Sequence, residues 1–146
     1  MNIFRKNEKK EIIFSLKQFN TLRYDAKAEL AKIPDEIRED NRQEFINNLE
    51  KRIAIYESYI FNVAPLMKCR EIKDIINNSA SCAKRAQQSC IKLKSKLENK
   101  NAVESDLYEI QFETNMKGLR ITHDMVEEFI EEYHIKPSEV DYRGRI

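Results

Sequence analysis

Between residues 8 and 33 the apolar positions fall at Ile12, Leu16, Phe19, Ala26, Leu30 and Ile33, with charged Arg23 standing in the same series. The steps alternate four and three, which places all seven on one stripe of a helix. Pro34 closes that helix, because the residue before a proline is pushed out of the α region. Proline also suits the first turn of a following helix. Asp35, Glu36 and Glu39 open a second helix, where the positive end of the dipole favours carboxylates. Its stripe runs through Ile46, Leu49, Ile53, Tyr56, Ile60 and Val63 to a break at Ala64 and Pro65.

A third helix is expected over 66–99. Its stripe is Cys69, Ile72, Ile76, Ser79, Ala83, Ala86, Cys90, Leu93 and Leu97. Small Ser79, Ala83 and Ala86 let a neighbouring helix come close. Cys69 and Cys90 serve on it as small hydrophobes. Cys82 falls off the stripe and is expected to be the most exposed thiol. Short breaks make consecutive helices antiparallel neighbours. Folding the chain at 34 and 65 brings residues near 23, 44 and 85 to one level. Arg23 then needs a carboxylate, and Glu44 is the expected partner in a structural ion pair.

The last third changes period. Tyr108, Ile110, Phe112 and Thr114 alternate with polar residues, the mark of a strand with one buried face. Asn115, Met116, Lys117 and Gly118 fit a turn, and Leu119, Arg120, Ile121 and Thr122 fit a returning strand. The competing reading is a helix over 103–116. A final helix follows, with Thr122 as N-cap and Val126, Phe129, Ile130 and Tyr133 as its apolar face. Glutamates 127, 128, 131 and 132 form the other face, and Pro137 ends it. The expected fold is mainly α. It is an elongated antiparallel three-helix bundle with coiled-coil-like seams over 1–101, plus a small β-hairpin, helix and short tail over 102–146.

Composition agrees with long, surface-rich helices: 35% of residues are charged, and the 146-residue chain has only two Gly and three Pro. The net charge of +1 excludes a strong global field toward nucleic acid or cations. Locally the balance is uneven. Residues 66–100 carry 9 basic and 3 acidic side chains, and residues 101–146 carry 5 and 11. No apolar run approaches the roughly 20 residues of a membrane span, and no apolar segment of a secretory signal follows the basic start. Three cysteines without such a signal point to reduced thiols and a cytoplasmic location.

Candidate chemistry is sparse. Two glycines cannot build a phosphate loop, and neither HExxH nor GxSxG occurs. Three cysteines lacking a CxxC pair, with both histidines far away, do not make a zinc site. No cofactor, metal or catalytic residue is expected. His123 reads as a surface residue beside the N-cap, and His134 as a partner of a helix C-terminus. Arg85, Lys92, Lys96 and Lys100 fall on one stripe of the third helix, a possible track for a phosphate backbone or another anionic partner. No aromatics interleave with them for base stacking. Met1, Ile3 and Phe4 before Arg5 and Lys6 form a short plug of the kind that touches anionic membranes weakly. Phe14, Phe45, Tyr59 and Phe61 lie off the main seams and are expected at a protein interface. The expectation is a non-enzymatic helical interaction or assembly protein, self-associating or part of a larger complex. The alternative is a nucleic-acid-associated protein using the basic face of the third helix.

Overall fold

The computed structural model describes residues 6–34, 41–99 and 118–144, which contain four α-helices and no strand. Helix α1, Lys6–Ala31, buries Ile12, Leu16 and Phe19 completely. Its end tightens into i→i−3 bonds, Lys32 N to Glu29 O and Ile33 N to Leu30 O, just before Pro34. Helix α2, Arg42–Val63, turns Phe45, Ile46, Leu49, Tyr56, Tyr59 and Val63 inward. Buried Arg52 donates to the Ile33 carbonyl at 3.1 Å, so a cation meets an acceptor just past the end of α1.

The reversal between α2 and the third helix does not occur at Pro65. A proline needs no N–H in a first turn, and Pro65 sits in a 3₁₀ turn, Ala64–Lys68, that prolongs α2. The chain changes direction at Cys69, whose backbone is extended (φ −76°, ψ 98°), before a second 3₁₀ turn, Arg70–Ile72. Helix α3, Lys73–Glu98, then runs antiparallel to α2. Cross-contacts fix the register: Tyr59 Oη to Ser79 Oγ at 2.6 Å, Gln87 to the Ile53 carbonyl at 3.2 Å, and Lys94 to Glu50 at 3.1 Å. Residue 85 therefore stands level with the mid-fifties of α2, not with Glu44. The small residues do what their size requires: Ser79, Ala80, Ala83 and Ala86 are all buried in this seam.

The expected second strand is helical. Helix α4, Gly118–Glu132, takes in Leu119, Arg120, Ile121 and Thr122, and Thr122 lies inside it, not at its N-cap. Thr122, His123, Val126, Phe129 and Ile130 are all buried, so the helical spacing begins earlier than the apolar residues alone reveal. The first strand, its turn residues before Gly118, and the alternative helix over 103–116 lie outside the described residues, as do Met1, Ile3 and Phe4.

Helix α4 ends in a Schellman arrangement. Ile135 N bonds Ile130 O at 2.9 Å, His134 N bonds Glu131 O at 3.4 Å, and His134 is left-handed (φ 54°). Buried Ile130 and Ile135 supply the apolar contact that accompanies this cap. A 3₁₀ turn, Pro137–Val140, then carries fully buried Val140 back against α1. One continuous core joins all four helices and Val140. No helix among the described residues is long and apolar enough to cross a membrane.

Candidate functional site

A buried polar cluster is built where α1, α4 and the C-terminal turn meet. Arg23 is the charged residue in the apolar series of α1, and only 5% of it is exposed. Its Nη1 lies 3.1 Å from His123 Nδ1 and 3.4 Å from Nε2, and its Nη2 donates to Asn20 Oδ1 at 3.0 Å. A guanidinium can only donate, so the histidine nitrogen it meets must hold a lone pair. Asn20 passes the chain on, donating from Nδ2 to the Val140 carbonyl at 2.8 Å. The Arg23 guanidinium carbon sits 4.6 Å from the Tyr24 ring centre and 5.9 Å from that of Phe19, within cation–π range. Burial lowers its pKa from the ordinary value, and the side chains opposing that shift are tyrosines, not carboxylates.

The expected pair of Arg23 with Glu44 is not formed. Glu44 is exposed in the first turn of α2, and Arg23 instead meets His123, one hundred residues away. His123, read as a surface residue, is 4% exposed. Around it the tail is pinned by polar contacts. Thr21 Oγ1 donates to Asp141 Oδ2 at 2.6 Å, Arg143 N donates to Tyr24 Oη at 2.9 Å, and Tyr142 Oη donates to Glu127 Oε2 at 3.2 Å. The Arg143 guanidinium clasps Asp141 and, with Thr21, holds that carboxyl below its ordinary value. Tyr59 lies near Arg23 from α2, and burial pushes its phenol up to about 12, so it is neutral near pH 7.

The other expected residues divide. Phe45 and Tyr59 are both buried in the core, although Tyr59 also lines a groove between α1 and α2. Phe14 and Phe61 are outside it, 61% and 78% exposed. Arg85 and Lys92 are exposed on α3, Lys96 is half-buried, and Lys100 lies outside the described residues. The stripe is not bare, for Arg85 Nη2 approaches Cys82 Sγ at 3.2 Å, and Arg85 and Lys96 make further interactions. Cys82 is buried, contrary to expectation. Cys69 at the bend is the most accessible thiol, and burial and Glu71 push it up.

Sequence reasoning missed Asn20 and misassigned two neighbours, reading Thr122 as an N-cap and His123 as a surface residue where both are buried. A signal existed: Thr122 and His123 precede Val126 by four and three residues, on the stripe that Phe129 and Ile130 continue. A shallow groove of 140 Å³ runs between α1 and α2, lined by Leu22, Ala26, Ile55 and Tyr59 with Asp25 and Glu29 at its edge. Among the described residues no group of three or more His, Cys, Asp or Glu is placed to hold a metal ion. Comparison with protein-family models, with curated proteins and with solved structures finds no match.

Proposed function

We propose that this chain is a non-enzymatic helical assembly protein that associates with a second copy of itself through the α1–α2 face. The observation that carries the reading is Phe61, 78% exposed on α2, three residues from Ser58 on the rim of the groove between α1 and α2. A whole aromatic ring in water beside an apolar groove is a pair of complementary features. When both occur on one chain, two copies can satisfy each other across a two-fold axis. Leu22, Ala26 and Ile55 offer the apolar floor, and Phe14 adds a second exposed ring on α1. Aromatic anchors in pockets dominate such interfaces.

The second reading is contact with nucleic acid through α3, supported by exposed Arg85 and Lys92. One preparation separates the two. Light scattering after nuclease and high-salt washing should give a native mass above the 17.4 kDa of one chain at micromolar concentration. A 17.4 kDa particle that co-purifies with nucleic acid, releases it in high salt and loses it on Arg85→Glu with Lys92→Glu would favour the second reading instead.

A further inference from the structure

Among the described residues no carboxylate pairs with the charge at Arg23. Its side-chain partners among the described residues are His123, Asn20 and Tyr24, and none of them is a carboxylate. Its Nε is buried and meets no protein acceptor. The carboxylates of Glu127 and Asp141 are engaged elsewhere, Glu127 by Tyr142 and Asp141 by Thr21 and Arg143. A buried cation is costly unless an opposite charge accompanies it. Water can satisfy an N–H but cannot neutralise the charge.

We propose that Arg23 is the receptor of a small oxyanion site beneath the C-terminal turn, with the free Nε–H as its leading donor. A guanidinium presents its donors in a fixed fork that matches two oxygens of one phosphate or carboxylate. Two of the Arg23 nitrogens are oriented by His123 and Asn20, so the fork is held in one plane before any ligand arrives. The aromatic faces of Tyr24 and Phe19 prevent it from swinging to solvent. Asn20 also ties the guanidinium to the Val140 carbonyl, so the site and the C-terminal turn are coupled: an anion that draws Arg23 reaches the tail through one side chain. This inference does not depend on self-association.

Inorganic phosphate is the probe, against sodium chloride at matched ionic strength. In the ¹⁵N-labelled full chain, the Arg23 Nε–H resonance should shift saturably with phosphate and stay fixed with chloride. The folding equilibrium constant should rise about elevenfold at ten times the dissociation constant. Arg23→Met, which keeps an unbranched apolar stem and removes the guanidinium, should abolish the phosphate stabilisation. No movement of the Nε–H signal, or equal responses to phosphate and chloride, would overturn the site, even if the Met variant failed to fold. Equal stabilisation of a folded Met variant by phosphate would overturn it as well.

Discussion

Tyr59 and Ser79 join α2 to α3 through hydroxyls 2.6 Å apart, both buried. Tyr59→Phe removes one of them and leaves the Ser79 Oγ buried without its partner. Such an orphan costs about 1–3 kcal/mol. Ser79→Ala does the same to the phenol, which is the harder group to strand because burial keeps it neutral and dry. The double variant strands neither group, so its cost should stay near that of the larger single change. The coupling should reach about 1 kcal/mol or more, well above the roughly 0.3–0.5 kcal/mol scatter of independent sites. Urea denaturation followed by circular dichroism reads all four proteins, and in thermal melts each kcal/mol is worth about 2–4 °C for a chain of this size. Additive single effects would refute the contact. They would also refute the α2–α3 register, because a reversal at Pro65 would set Tyr59 opposite the start of α3, far from Ser79.

Other outcomes follow from the helix ends and the thiols. His134 caps α4 in a left-handed conformation that strains a residue bearing a β-carbon. His134→Gly should therefore raise stability by roughly 1 kcal/mol in the same denaturation assay, and a loss of stability would contradict the cap. Labelling of the native protein with a thiol reagent, read by mass spectrometry of peptides, should mark Cys69 before Cys82 and Cys90 and accelerate as pH rises, because burial and Glu71 push that thiol up. Faster labelling of Cys82 would show that the α3 seam opens.

Much of the helical frame was legible because the stripes of α1, α2 and α3 are long and regular. Ile12, Leu16 and Phe19, or Ala83, Ala86 and Cys90, repeat often enough to set the period. Two kinds of information were not. Proline reads as a stop, yet Pro65 fits inside a 3₁₀ turn, so the true reversal lies at Cys69 and every cross-helix pairing moves with it. Leu119 to Thr122 is too short a run to separate a period of two from one of 3.6, and helix α4 won because Thr122 and His123 are buried with Val126. Polar residues hidden on an apolar stripe resist pattern reading. The anomaly at Arg23 was visible in the sequence, and helical spacing puts Asn20 beside it, but its partner His123 lies one hundred residues away and only the fold brings it there. Phe45 and Tyr59 were misplaced for a related reason: the stripe of α2 is wider than a two-position seam, since it packs on both α1 and α3.

The central claim is that the α1–α2 face binds a second copy of the chain. Sedimentation equilibrium across a micromolar concentration series, on the wild type and on Phe61→Glu, tests it directly. The account predicts a concentration-dependent mass above 17.4 kDa for the wild type, and a return to that mass in the variant with its helical circular dichroism unchanged. A wild type that stays at 17.4 kDa throughout, or a variant that associates as well as the wild type, would contradict it.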